Sequence, residues 1–211
     1  SLEAFGEIMY ILLAGAGVGF SVEKRYISKL PVINKQVNKE MLRFCIPDSR
    51  EGWKQAIDFG ISAWFEGRDV DFDYCTLRPA GTPLLISGGY SSGPAPLQRC
   101  LEFLRDTILN AQGRKLNSLE VADIVCEIAA SVVCGGVRRS STICLCDVDD
   151  DLMKECKQGN FHPRRFLMNI SAVYRSKPDV LKFTQEFIDM AKSGSGERGI
   201  INLVAARKRA L

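Results

Sequence analysis

The run Gly15-Ala-Gly-Val-Gly-Phe-Ser21 decides how the rest of the chain is read. Its glycines let backbone N–H groups come close to a ligand, as nucleotide-binding turns require. A dinucleotide fingerprint needs a strand before the glycines, a helix after them and the spacing Gly-x-Gly-x-x-Gly. Here the spacing is Gly-x-Gly-x-Gly. The preceding segment places Leu2, Phe5, Ile8, Met9 and Leu12 at helical period, and residues 20–26 read as a strand. Helix, turn, strand is the reverse of the Rossmann order, so that fold is set aside.

The remaining sequence alternates periodic segments with turns. Residues 31–47 read as a mixed connection. Asp48-Ser-Arg-Glu51 is a capping box in which Asp48 is expected to accept from the Glu51 N–H, opening a helix that buries Trp53, Ile57, Ile61, Trp64 and Phe65. Val70, Phe72 and Tyr74 alternate with aspartates as in a half-buried strand. Pro94 falls in the first turn of a helix carrying Leu97, Leu101, Leu104 and Ile108. Asn117-Ser-Leu-Glu120 caps a helix presenting Val121, Ile124, Val125, Ile128 and Val132, expected to stop at Gly135-Gly136. Residues 142–146 and 168–174 read as strands, 149–158 as a short helix, 178–192 as an amphipathic helix and 200–204 as a last strand. Interleaving of this kind predicts an α/β fold.

The chain has 211 residues, room for one large domain or a slice of a bigger protein. A net charge of +3 is too small to indicate a nucleic-acid partner, and no apolar run reaches membrane-spanning length. The eight cysteines show no Cys-x-x-Cys spacing, which favours a reducing, cytoplasmic setting over a disulfide framework. With one histidine, His162, a His-rich metal site is excluded, and no metal site is expected. Cys144 and Cys146 share a strand face, suiting core packing better than chelation.

Three further stretches combine glycine with hydroxyls or arginines: Arg78-Pro-Ala-Gly-Thr-Pro83, Gly88-Gly-Tyr-Ser-Ser-Gly-Pro94 and Gly135-Gly-Val-Arg-Arg-Ser140. Ser91, Ser92 and Gly93 lead into a helix N-terminus, where free N–H groups favour an anion; plain N-capping is the other reading. Arg138 and Arg139, between Gly135-Gly136 and Ser140-Ser141, can offer guanidinium forks to a phosphate, or can be solvated residues after a helix end. Gly15, Gly17, Gly19 and Ser21 can cradle a ligand or pack a helix against a strand. Asn169 and Ser171 share one face of a strand and suit either substrate contact or ordinary polar satisfaction.

Taken in order, these pieces resemble the adenosylcobalamin-dependent (class II) ribonucleotide reductases, in the monomeric ribonucleoside-triphosphate reductase branch. The resemblance is carried by Gly17-Val-Gly-Phe-Ser-Val-Glu23, Tyr26-Ile-Ser-Lys-Leu-Pro31, Asp48-Ser-Arg-Glu-Gly-Trp53, Phe72-Asp-Tyr74, Arg78-Pro-Ala-Gly-Thr-Pro83, Ser92-Gly-Pro94, Gly135-Gly-Val-Arg-Arg-Ser140 and Gly196-Glu-Arg-Gly-Ile200. It covers nearly the whole chain. It departs at Ala16, where glycine is expected, at Ile170, where a second asparagine is common, and at Arg198, which replaces a proline. Arg198 is expected either to loosen its turn or to add a phosphate contact.

The resemblance implies that 1–211 is part of a ten-stranded α/β barrel with a helical insertion imitating a dimer surface. By it, 15–31 is a first effector segment, 32–134 the effector-region insertion and helices, 135–146 a specificity loop and strand, and 147–211 further barrel elements. It implies effector contacts at Gly15, Gly17, Gly19, Ser21, Ser91, Ser92 and Gly93. Gly135, Gly136, Arg138, Arg139, Ser140, Ser141, Asn169 and Ser171 would then form the specificity loop and substrate wall. The implied reaction makes 2′-deoxyribonucleotides from ribonucleoside triphosphates for DNA synthesis by thiyl-radical chemistry. Adenosylcobalamin is held mainly by segments outside this chain, deoxynucleoside triphosphates are the effectors, and a thioredoxin-type dithiol is the reductant. The full enzyme is expected to be a cytoplasmic monomer with no membrane or stable nucleic-acid partner. The family's Asn-Pro-Cys-x-Glu radical motif is not in this sequence, so no catalytic residue is expected here. A stand-alone nucleotide-binding module and one piece of a split reductase remain alternatives.

Overall fold

The strands that matter most lie far apart in sequence and come together as one parallel sheet. The computed structural model describes residues 1–37, 40–85, 88–134, 137–138 and 140–210. Strand β1 (Val18–Ser21) pairs with β6 (Thr142–Cys146), β6 with β7 (Met168–Tyr174), and β7 with β8 (Gly199–Asn202), all parallel. A second sheet is the parallel pair β2 (Met41–Cys45) and β3 (Asp69–Asp73), and a third is the short antiparallel pair β4 (Val133–Cys134) and β5 (Val137–Arg138).

The helical layer contains α1 (Ala4–Leu13), α3 (Arg50–Phe65), α4 (Ala95–Asn110) and α5 (Ser118–Ser131), packed α1 on α3, α3 on α4, α4 on α5 and α1 on α5. Periodicity explains their buried faces. Leu97, Leu101, Leu104 and Ile108 of α4 are all buried, as are Ile124, Val125 and Ile128 of α5. The sheet meets this layer with Cys144, Cys146, Met168 and Ile170, which join the same apolar cluster. The two cysteines of 144–146 are thus core residues, as their alternation suggests. Shorter helices α2 (Lys24–Ile27) and α6 (Asp151–Glu155), a 3₁₀ turn at Pro163–Leu167, and α7 (Val180–Ser193) and α8 (Leu203–Arg209) complete the chain. Among the described residues no helix is long and apolar enough to cross a membrane.

Several local expectations are corrected. The strand after the glycine run ends at Ser21, because Glu23 opens the turn of α2. The 31–47 connection contains β2, whose alternating exposure is weak and whose partner β3 is remote in sequence. Ser49, not Asp48, caps α3 by accepting from the Gly52 N–H at 2.9 Å. That frees Asp48 to accept from Arg78 Nε at 2.8 Å. Helix α5 has the full Asn117–Glu120 capping box, yet it stops at Ser131, and β4 follows before the glycine pair. Helix α6 is shorter than 149–158 because Asp150 caps it through the Met153 N–H. The last strand stops at Asn202, whose side chain accepts from the Ala205 N–H and starts α8 over residues expected to be extended.

Candidate functional site

Register sorts the candidate residues onto two faces of the parallel sheet. In-register neighbours in a pleated sheet share a face, and successive residues alternate between faces. Gly19, Ile143 and Asn169 form one row, and Ser21, Leu145, Ser171 and Gly199 the next. Both rows lie on the face opposite the core residues Cys144, Cys146, Met168 and Ile170. A Cβ built on Gly19 would stand 3.3 Å from Ile143, and one on Gly199 would stand 3.0 Å from Ser171 Oγ, as a shared face demands. Gly17 lies against Ser141 in the same way. Six residues singled out in the sequence, Gly17, Gly19, Ser21, Ser141, Asn169 and Ser171, therefore share one glycine-lined face with Ile143 and Leu145, and Ser171 lies at its closed end, buried at 7 % exposure. Helices do not cover its centre: Asn169 is exposed and Ile143 is 37 % exposed.

Other candidates fall elsewhere. Ser140 is buried, and its hydroxyl donates to the Ala129 carbonyl at 2.8 Å, so it ties the start of β6 to α5 rather than facing a ligand. Gly135, Gly136, Arg139 and the side chain of Arg138 lie outside the described residues. Ser91, Ser92 and Gly93 stand at the head of α4. There the second and third glycine-rich stretches prove to be two arms of one hairpin. Pro83 bridges to Tyr90, the Ser91 N–H donates to Thr82 O at 2.8 Å, and Gly81 N–H donates to Ser91 O at 2.9 Å. Ser91 Oγ accepts from the Gly93 N–H at 3.0 Å, and α4 begins at Ala95, with Pro94 in the cap position and no side-chain cap. In the first run only Gly15 has a left-handed backbone (φ 84°), and no non-glycine residue described does, so Ala16 in place of glycine carries no strain. Arg198 does not face outward to a phosphate: its guanidinium is buried against Glu186.

Sequence reasoning missed the residue that orders this face. Glu23, 1 % exposed, receives a hydrogen bond from Ser21 Oγ at 2.9 Å and pairs with Arg25 at 3.3 Å and with Arg175 beyond the end of β7. The Ser-x-Glu spacing was visible, but the Arg175 partner was not. Burial pushes the Glu23 carboxyl up, but the hydrogen bonds from Arg175 and Ser21 and both guanidinium charges outweigh it and hold the group below 4.5. Glu23 therefore stabilises the fold above the unfolded value of 4.5, and that contribution is lost as pH falls through the lower folded value. In urea denaturation, the gap between the parent and Glu23→Gln is expected to be full at pH 7 and to close below pH 4.5. A gap unchanged in acid would remove Glu23 from this role.

At the C-terminal ends of β1 and β6 lies a cavity of about 380 Å³, where parallel sheets commonly bind ligands. Its lining includes Lys24 and Lys115 but also Asp147, Asp149 and Asp150. That excess of carboxylates disfavours a bare triphosphate there.

No protein-family model matches the chain. Curated relatives do. The chain is 31% identical over 167 residues to the adenosylcobalamin-dependent ribonucleoside-triphosphate reductase of Euglena gracilis, covering 77% of this chain and 23% of the relative. It is 29% identical over 237 residues to the enzyme of that name from Levilactobacillus brevis, covering 93% of this chain and 31% of the relative. For the Lactobacillus leichmannii enzyme the identity is 28% over 230 residues, covering 91% and 30%. A crystal structure of a B12-dependent (class II) ribonucleotide reductase superposes with a TM-score of 0.82 at 24% identity, over 94% of this chain and 32% of that one. The chain thus spans less than a third of the length of these relatives. The resemblance found in the sequence is borne out, and the α/β fold with its parallel sheet is that of the matching part of such a barrel.

Proposed function

We propose, from the likeness of this chain to one segment of the adenosylcobalamin-dependent ribonucleoside-triphosphate reductases, that it is the effector-reading portion of such an oxidoreductase. Residues 15–31 and 32–134 form the effector region, 135–146 the specificity loop, and 147–211 further barrel elements. The observation that supports this most is the sheet face lined by Gly17, Gly19, Ser21, Ser141 and Asn169, left open by the helical layer. On this reading Asn169 and Ser141 present hydrogen-bonding groups to a ribonucleoside triphosphate, and the buried Ser171 backs them at the closed end of the face. Arg138 and Arg139 carry the signal from a deoxynucleoside triphosphate to the substrate base. A coupling of about 1–3 kcal/mol is enough to change substrate preference several-fold. The setting is cytoplasmic, the whole enzyme is a monomer, and a thioredoxin-type dithiol resets it.

Adenosylcobalamin supplies a radical to a cysteine when bound, and the described cysteines do not fit that task. Cys144 and Cys146 point into the core, and burial raises both thiols, that of Cys146 to about 11. Cys100, Cys126 and Cys156 are likewise buried. Cys45 and Cys75 are exposed but belong to the β2–β3 sheet and its end. No step through the cofactor is derived for these residues.

The test is equilibrium binding of the four deoxynucleoside triphosphates at two salt concentrations. Selective, saturable binding is expected, lost in Arg138→Ala and kept in Asn169→Ala, which sits on the substrate side. Absence of binding by the folded protein, or binding indifferent to Arg138→Ala, would overturn the assignment. Steeply salt-dependent binding of DNA instead would favour a nucleic-acid partner.

A further inference from the structure

Outside the face described above, one cluster of side chains is placed as metal ligands are. Strands β2 and β3 pair in parallel with Cys45 opposite Asp73, and Cys75 follows two residues after Asp73. One donor atom from each, the two thiol sulfurs and a carboxylate oxygen, lie within 4.8 Å of one another, and all three residues are exposed. Zinc-type ions take thiolate at about 2.3 Å and carboxylate oxygen at about 2.0–2.2 Å in a tetrahedron. At an exposed site no core packing opposes the side-chain rotations that would bring the three donors to that geometry.

The backbone around the cluster is fixed on both sides. Ile46 N–H donates to Asp73 O at 3.0 Å, and Thr76 Oγ1 donates to Ile46 O. The Cys75 N–H donates to Asp73 Oδ1 at 2.9 Å, which orients the carboxylate. The Asp73 carboxylate beside it pushes the Cys75 thiol up. A cation placed there reverses the effect by favouring both thiolates.

We propose that Cys45, Asp73 and Cys75 form a surface site for a borderline-soft divalent ion of the zinc class, with water in the fourth position. Two thiolates exclude magnesium and calcium, which take oxygen ligands. Binding releases the thiol protons, and the metal joins the ends of a two-stranded sheet that is otherwise held by a five-residue ladder. Two-stranded pairs are marginal by themselves, so the metal acts as a clip on a small sheet. No Cys-x-x-Cys spacing announces this site, because its two thiols come from different strands.

The experiment titrates the reduced, metal-free protein with cobalt(II) and then displaces it with zinc(II). The expected result is a thiolate-to-cobalt charge-transfer band that saturates at one equivalent and vanishes on adding zinc. It should be absent from Cys45→Ser and Cys75→Ser and retained in Cys134→Ser. Asp73→Asn removes an oxygen donor without touching a thiol, and affinity should fall about tenfold or more, since even outer-shell losses cost that much. No band in the parent, or a band that survives Cys45→Ser, overturns the proposal. So does a Cys45–Cys75 disulfide that persists under reductant, found by mass spectrometry.

Discussion

Replacing Arg198 by alanine is expected to destabilise the protein by about 3–5 kcal/mol, the usual cost of breaking a buried ion pair from one side. Arg198 is 4 % exposed and Glu186 is 5 % exposed. The guanidinium donates to the Glu186 carboxylate through Nε at 2.7 Å and Nη2 at 3.1 Å. It also donates to Asp147 O at 2.9 Å and to Val148 O, joining α7, the end of β6 and the start of β8. The truncation leaves a carboxylate and two carbonyls without their donor in a place water does not reach. Arg198→Lys keeps the charge but loses the planar fork, so it should recover only part of the loss. Replacing both partners, Arg198→Met with Glu186→Leu, removes the orphan carboxylate but leaves the two carbonyls, so it should restore part of the stability. A double-mutant cycle by urea denaturation measures this. Additive losses in the double variant would mean that the pair is not coupled.

How much of this was legible follows from what each residue depends on. Helices α4 and α5 were readable because their apolar spacing is local, and β7 because Met168, Ile170 and Ala172 alternate with Asn169 and Ser171. The β2 strand was not, since its alternating exposure is weak and its partner lies beyond α3. The open face was half legible: Asn169 and Ser171 share a side by alternation, but only pairing with β6 and β1 brings Ser21 and Gly19 beside them. Glu23 and Arg175 come together from opposite ends of the chain, and Arg198 finds Glu186 by folding of α7. Charged partners at such separations leave no periodic trace. The same holds for the thiols of Cys45 and Cys75, which count as unrelated cysteines until β2 and β3 are paired. Asp48 and Ser49 are equally good capping types, and the cap falls on Ser49 because Arg78 claims Asp48.

That choice leads to the second large effect. Gly52→Ala should destabilise the protein by about 3 kcal/mol, at the upper end of overpacking losses. In an open helix the same change is stabilising by up to about 1 kcal/mol, so the sign itself is the test. A Cβ on Gly52 would sit 2.0 Å from Pro47 O and 2.7 Å from Pro47 C, both backbone atoms that cannot rotate away. Relief requires the first turn of α3 to move off the preceding loop. That motion breaks the Ser49 cap on the Gly52 N–H and disturbs Asp48, which holds Arg78 at the foot of the 81–91 hairpin. The substitution should therefore also weaken deoxynucleoside triphosphate binding if Ser91 and Ser92 contact the effector. Gln55→Ala, exposed on the same helix, should stay within about 0.5 kcal/mol. Urea midpoints of the two variants decide the matter. A neutral or stabilising Gly52→Ala would show that Pro47 and α3 do not approach this closely, and the link from the Asp48-Ser-Arg-Glu-Gly-Trp53 stretch to the hairpin would fall with it.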